Sequence, residues 1–351
     1  MYKRRVTHPR PGRGRLRWAL AGHAVRLLPD AVLRSAARRG PQGSTAKVPP
    51  FADFVRFLEA AGPAAGIVMG ELDPTAPVSR SPELDAVTVR PLKLGPQQVR
   101  ARLYSAADLS DRAALVWISG GAFVAGSLDM PESDWVARTL AARGTPVLAL
   151  DYRKALNGLR HPAPSDDVLT GWHWAVEHSA ESLGVPPERL HLGGASAGGN
   201  LAAAATRRLL DTDGPLPASL LLAYPVVHGR LPEWDPLALA AVREVTHGAC
   251  LPLDWIADMC VNYAGPDHLL DPHAFPGEAT PPENHPPTLI LACENDTLRT
   301  SAERFAGQLE AAGITTVLHQ LDGAAHRSLD RPTEPDGQQA LNHLATWLAR
   351  E

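Results

Sequence analysis

From Leu190 to Asn200 the chain passes from a short apolar segment through Gly194-Ala195-Ser196-Ala197-Gly198 into the small-residue run 201–206. That order predicts a strand, a tight turn and a helix that begins inside the turn, with Ser196 on the bend and its hydroxyl exposed. Gly194 and Gly198 lack the side chains that would hold strand and helix apart. The helix N-terminus just past Ser196 offers free N–H groups and the positive end of a dipole, where an anion would be stabilised. Small residues and a serine also meet by chance in inert glycine-rich turns. The rest of the sequence has to decide between the two.

Around this turn the sequence alternates strand-like and helix-like runs. Ala86–Leu94 and Gln98–Tyr104 read as strands joined by a Gly95-Pro96 hairpin turn. Ala114–Ile118 is continuously apolar, as expected of a strand buried on both faces, and it runs into the glycine-bearing segment Ser119–Phe123. Further strands are expected at Pro146–Leu150, Arg189–Leu192, Ser219–Ala223, Thr288–Ala292 and Thr315–Leu321. Helices are expected near 132–143, 166–179, 301–312 and 337–350. Strands alternating with helices imply a mostly parallel sheet covered on both faces. Residues 226–287, rich in Pro, Trp and His, break the rhythm and read as an insertion over the carboxyl edge of the sheet.

A serine hydroxyl is a weak nucleophile and needs a base within hydrogen-bond reach, itself oriented by a third group. In an open α/β sheet such groups come from loops at the carboxyl ends of strands. Two later loops carry them. Asp296 follows the strand 288–292, with Glu294 as its nearest rival, and His326 follows the strand 315–321. The chain order Ser196, Asp296, His326 is the nucleophile–acid–base order of the α/β-hydrolase arrangement. A cradle for a tetrahedral oxyanion is expected from the backbone N–H groups of Gly120, Gly121 and Ala122, together with that of Ala197 after the nucleophile.

With these residues in place, the sequence from about residue 80 onward resembles the hormone-sensitive-lipase-like branch of the α/β-hydrolases, which includes bacterial carboxylesterases and acetyl hydrolases. Ser119–Phe123 stands where that family has His-Gly-Gly-Gly-Phe. Asp151-Tyr152-Arg153, His161-Pro162-Ala163-Pro164 and Asp166-Asp167 match another family segment, and Gly194–Asn200 resembles its Gly-Asp-Ser-Ala-Gly-Gly-Asn. The resemblance implies an α/β-hydrolase fold with a helical cap formed by elements within 16–80 and 226–287. It also implies hydrolysis of carboxylic esters with short acyl, acetyl or lactone groups through an acyl-enzyme, with no cofactor and no metal. Two alternatives stay open: a non-hydrolytic small-molecule-binding member of the fold, and acyl transfer or elimination on a biosynthetic intermediate. Ser119 and Ala122 replace a histidine and a glycine of the oxyanion motif, and Ala195 replaces the acid before the nucleophile. The residues between Asp151 and His161 are a few more than usual, and Arg327 stands where a small residue usually follows the histidine. These departures imply an unusual substrate or reduced general esterase activity.

Composition bounds the partners. With 351 residues, 44% hydrophobic and 21% charged, the chain is ordinary for a globular protein, and its net charge of −4 exerts no overall pull on nucleic acid or membrane. Residues 1–47 hold twelve Lys and Arg against the single acid Asp30, so residues 1–50 read as a basic, partly disordered arm ahead of a hydrolase domain at 51–351. A basic amphipathic helix is expected over 16–39 and another helix over 51–70. No apolar run reaches the roughly 18–20 residues that span a bilayer, and His23 and Arg26 interrupt the best N-terminal stretch. The three cysteines, Cys250, Cys260 and Cys293, form no Cys-x-x-Cys pair, and the remaining histidines show no metal-ligand spacing. A small-molecule ester partner, a cytoplasmic location and self-association as a homodimer complete the expectations.

Overall fold

The computed structural model describes residues 48–62, 81–106 and 113–350, together with Ala24. The expected basic arm, the helix over 16–39 and the distal part of the 51–70 helix lie outside the described residues. Within them, the N-terminal helix α1 spans Phe51–Ala61 and stops at Gly62, whose φ of 56° no longer continues a helix.

Eight strands make one sheet: β1 Thr88–Leu94, β2 Val99–Ser105, β3 Ala114–Ile118, β4 Val147–Asp151, β5 Leu190–Ala195, β6 Leu220–Ala223, β7 Thr288–Asn295 and β8 Thr316–Ala325. Their spatial order is β1-β2-β4-β3-β5-β6-β7-β8. The β1–β2 and β2–β4 pairs are antiparallel, and every other pair is parallel. The expected hairpin is β1–β2, with Gly95 at φ 61° in its turn. Strands β7 and β8 run three and four residues beyond the expected ends: past a register shift the ladder resumes at Asn295 and Ala325, beyond the turn-like Asp322-Gly323 where the apolar pattern has already stopped.

The continuous apolar strands conceal a period of two. Val116, Ile118, Leu148, Leu150, Leu192, Leu222 and Ile290 face one layer, formed by α3 (Ala163–Glu177), α4 (Ala197–Asp211) and α7 (Arg299–Ala311). Leu115, Trp117, Val147, Ala149, Leu221, Leu289 and Leu291 face the other, formed by α2 (Pro131–Ala142) and α8 (Pro335–Leu348). Two separate cores, one on each face, hold a central sheet whose backbone groups are satisfied within the ladder.

Between β6 and β7 the insertion forms two helices, α5 (Pro236–Val245) and α6 (Leu253–Ala264), and two 3-10 turns. Helix α6 packs against α1 through Phe51, whose ring meets Trp255 edge-on at 4.8 Å, with Phe54 6.1 Å from the same indole. Elements some 200 residues apart in sequence therefore meet in one layer. Among the described residues no helix is long and apolar enough to cross a membrane.

Candidate active site

Ser196 sits between β5 and α4 with φ 52° and ψ −118°, a conformation an L-residue adopts only when its surroundings impose it. Those surroundings are backbone. The Ser196 N–H donates to Ala223 O of β6 at 2.8 Å, and Ser196 O accepts the Asn200 N–H at 3.1 Å to start the helix. A Cβ on Gly194 would lie 2.5 Å from Gly198 C and O, so the strand and the helix approach closer than any side chain allows. The strand, tight turn and helix follow the sequence reading, but Ser196 is buried, at 7% exposure, where an exposed hydroxyl was expected.

The parallel pairing of β7 with β8 carries their two loops to the same edge of the sheet. His326 Nε2 lies 3.0 Å from Ser196 Oγ, and His326 Nδ1 lies 2.6 Å from Asp296 Oδ2. With the ionised Asp296 accepting from Nδ1–H, Nε2 is the acceptor for the serine proton. Asp296 is 1% exposed, and its second oxygen accepts the Leu298 N–H at 3.0 Å. Glu294 points elsewhere: its carboxylate accepts the Gly323 N–H at 2.6 Å. Arg331 steadies the histidine loop by donating to the carbonyls of Ala325 and His326 and pairing with Asp336. The three expected residues are thus brought together in one hydrogen-bonded line.

The glycine loop after β3 departs from expectation at one position. Gly120 N–H donates to Glu132 Oε1 at 2.5 Å, so it is not free to meet an oxyanion. The N–H groups of Gly121, Ala122 and Ala197 donate to no acceptor among the described residues. The loop is wound so that Gly121, Ala122 and Phe123 all have positive φ, at 117°, 53° and 63°. Val124 and Ala125 N–H close it onto Gly121 O. Ala122 accepts the left-handed conformation that a third glycine would adopt without strain.

Two participants escape sequence reasoning. Glu132 is 1% exposed in the first turn of α2, and its Oε2 accepts from Tyr224 OH at 2.6 Å. Burial, reinforced by the nearby Asp330 charge, pushes its carboxyl up to about 7. Tyr224, just past β6, is fully buried and lays its ring edge against His326 at 5.1 Å. An acid in the first turn of a helix reads as a solvated partner of the dipole, so nothing local marks Glu132. Tyr224 had one usable cue, its place at the carboxyl end of a core strand.

The insertion carries a half-open cavity of about 630 Å³, lined mainly by apolar groups including Leu231, Trp234, Leu239, Ile256 and Leu269; Ser196, Asp296 and His326 are not among its lining residues. Trp234 is fixed by donating to Thr297 O, next to Asp296, at 3.0 Å. Trp255 does not line this cavity and packs on Phe51. Trp172 is a core residue that donates to Pro215 O. Among the described residues no three His, Cys, Asp or Glu side chains converge on a metal-sized site.

A family model described as the alpha/beta hydrolase fold matches residues 115–330. Ethyl acetate hydrolase of Pseudomonas putida is 34% identical over 218 residues, covering 61% of this chain and 65% of that protein. The esterase LipI of Mycobacterium tuberculosis is 30% identical over 223 residues, covering 62% and 66% of the two chains. The chain therefore aligns with just under two thirds of the length of these curated relatives. Among solved structures, an esterase from Pyrobaculum calidifontis superposes with a TM-score of 0.66 at 27% identity, covering 76% of this chain and 86% of that one. An esterase from the bacterial hormone-sensitive lipase family superposes with a TM-score of 0.67 at 22% identity, covering 97% and 98%. That second likeness speaks to the fold. With the strand–serine–helix turn and the sheet order already pointing the same way, the chain belongs to the α/β-hydrolase fold family.

Proposed function

We propose that this protein hydrolyses carboxylic esters by acyl transfer to Ser196. The observation that carries the reading is the line Ser196 Oγ–His326–Asp296, with contacts of 3.0 Å and 2.6 Å, beside three unengaged backbone donors. His326 Nε2 takes the serine proton as Oγ attacks the carbonyl, and Asp296 stabilises the imidazolium that forms. The N–H groups of Gly121, Ala122 and Ala197 receive the oxyanion. His326 then returns the proton to the leaving alcohol. Water, activated by the same imidazole, releases the acid. The names of the relatives, above all the ethyl acetate hydrolase, support a small acyl group. The acid loop, the histidine loop and the turn of the nucleophile come from one domain, for which 51–351 is the span we assign, with 226–287 as part of its cap.

The intact Ser196–His326 contact favours hydrolysis over a silent binding pocket, and a fluorophosphonate probe separates the two: a competent serine is labelled and Ser196→Ala is not. Hydrolysis of p-nitrophenyl acetate by wild type and Ser196→Ala tests the reaction itself. Equal rates from the two proteins would sink the assignment. A cytoplasmic site of action is supported by Cys250, Cys260 and Cys293 all being free thiols. For the homodimer, the outer edge of β8, which pairs with no other strand among the described residues and carries Leu318 at 37% exposure, is the surface we nominate; sedimentation velocity decides it.

A further inference from the structure

We propose that Glu132 is a positioning residue for the oxyanion cradle: its buried carboxylate fixes the Gly120 peptide from behind and, through Tyr224, ties that loop to the ring of His326. The inference rests on the ester-hydrolase reading above and names a residue of the same site.

Glu132 reaches the loop from α2, with its own backbone held at both ends. Its N–H donates to Asp330 Oδ1 at 3.1 Å, and its carbonyl accepts from Trp117 Nε1 at 2.9 Å. From that fixed base Oε1 takes the Gly120 N–H at 2.5 Å, while Tyr152 OH donates to Gly120 O at 3.2 Å. Both ends of the residue preceding the donors are thereby clamped. The Gly120–Gly121 peptide is planar and trans, so holding Gly120 O toward Tyr152 turns the Gly121 N–H the opposite way. Gly120 also abuts the nucleophile, since a Cβ there would lie 3.0 Å from Ser196 Cβ. A small rotation of Gly120 would therefore misdirect the cradle where it meets the serine.

The second carboxylate oxygen performs the other half of the task. Tyr224 OH donates to Oε2 and accepts the Leu329 N–H at 3.3 Å, while its ring sits against His326. One carboxylate thus spans the loop that receives negative charge and the ring that becomes positive. The charged groups facing it are Asp330, which repels it, and Arg327, which is itself paired with Asp330 at 2.6 Å. No cation contacts Glu132 directly among the described residues. A buried carboxylate without a cationic partner is costly, and a neutral isostere is commonly more stable. Stability gives no reason to keep it; geometry does. In the resembled family a histidine stands at position 119 and an acid at 195. This chain has Ser119 and Ala195 there, and Glu132 supplies a carboxylate brace from a different element.

The test compares wild type with Glu132→Gln, Glu132→Asp and Tyr224→Phe. Loss of one oxyanion donor costs about 10²–10³ in rate, and an indirect brace should cost less. Glu132→Gln should lower kcat on p-nitrophenyl acetate by about 10–100-fold with KM within about twofold. Affinity for a trifluoromethyl ketone, which forms a tetrahedral oxyanion on the serine, should weaken by the same factor as kcat/KM. Thermal stability at pH 8 should hold or rise, because the buried charge is gone. Glu132→Asp, one methylene short of reaching Gly120 and Tyr224 together, should not restore the rate. The Tyr224→Phe effect should be smaller and should not add to that of Glu132→Gln, since both cut the same link. A Glu132→Gln enzyme with kcat and ketone affinity within twofold of wild type overturns the proposal. So does a rate loss that only follows a lower melting temperature. Amide hydrogen exchange over 119–126 reads the brace without turnover: it should quicken in Glu132→Gln, and unchanged exchange also overturns the proposal. If wild type neither cleaves esters nor takes the fluorophosphonate label, the ester-hydrolase reading fails, while exchange still decides whether Glu132 holds the loop.

Discussion

The sharpest demand the fold makes is at Gly198, and a single added methyl there tests it. An ideal Cβ on Gly198 would stand 2.2 Å from Ile118 O and 2.5 Å from Ser119 O. Both are backbone atoms, so no rotamer change relieves the clash, and α4 must retreat from the end of β3 by roughly 1 Å. Overpacking of this kind costs about 3 kcal/mol. At about 2.1 cal/mol/K per residue, unfolding a chain of this length carries about 0.7 kcal/mol/K, so Tm should fall by about 4 °C. Catalysis should suffer more. Ser196 moves with α4 whereas Gly121 and Ala122 move with β3, and a 1 Å misplacement at such a site costs about 10²-fold. The control is Gly307→Ala in α7, exposed and with no atom within 4 Å of the new methyl. There the same substitution gains up to about 1 kcal/mol of helix propensity, raising Tm by about 1 °C and leaving kcat unchanged. Differential scanning calorimetry and p-nitrophenyl acetate hydrolysis on both variants suffice. A Gly198→Ala protein with wild-type Tm and kcat refutes the close-approach argument, as does a Gly307→Ala protein equally damaged.

Asp296→Asn should fold with Tm near wild type, because the amide oxygen still accepts from Leu298, while kcat drops about 10³–10⁴-fold as the imidazole loses its orienting charge; a loss under tenfold in steady-state rate contradicts the role given to Asp296. Burial lowers His228, 1% exposed, and His191 to about 4 each, so the native state resists protons that the unfolded chain takes up near 6.5. Their contribution is complete above about pH 6.5 and lost as pH falls toward 4, about 3 kcal/mol for His228, partly offset by Glu132, whose raised value acts with the opposite sign. His228→Gln should flatten the acid limb of a Tm-against-pH curve, and an unaltered limb contradicts the burial argument. Phe51→Ala removes the edge-on contact with Trp255 and should cost about 3 kcal/mol, with limited proteolysis near α1 quickening well before global unfolding; protection equal to wild type would show that the two segments are held together by other contacts.

Most of the frame was legible because it is written locally. Ala114–Ile118 and Leu220–Ala223 are apolar runs bounded by turn residues, and the nucleophile turn carries its own glycines. Asp296 and His326 were legible through chain order, since parallel strands send successive loops to one edge. What stayed hidden depends on pairings that no local pattern encodes. Glu132 and Tyr224 are 92 residues apart, and only the folded sheet makes them neighbours. The engagement of Gly120 by Glu132 follows from the same meeting, which is why the cradle was expected to have one donor too many. The extra reach of β7 and β8 was invisible for a different reason. Glu294 and Asn295 are polar, and Asp322-Gly323 reads as a turn, so neither stretch carries the apolar pattern of a strand even though the backbone ladder resumes beyond it.

The meeting of Phe51 with Trp255 makes the cap we assign to this molecule, its proposed roof, a clasp with two independently encoded jaws. One jaw is α1, which precedes the sheet in sequence, and the other belongs to the segment after β6. Neither contributes a strand to the sheet. If the proposed cap governs entry, substitutions in either jaw should reshape what is admitted without disturbing the frame that holds Ser196, Asp296 and His326. The two jaws must nevertheless change in step at their aromatic contact. Swapping the 226–287 segment between related chains without its matching N-terminal helix should give enzymes that retain the serine machinery and leave its roof unlatched.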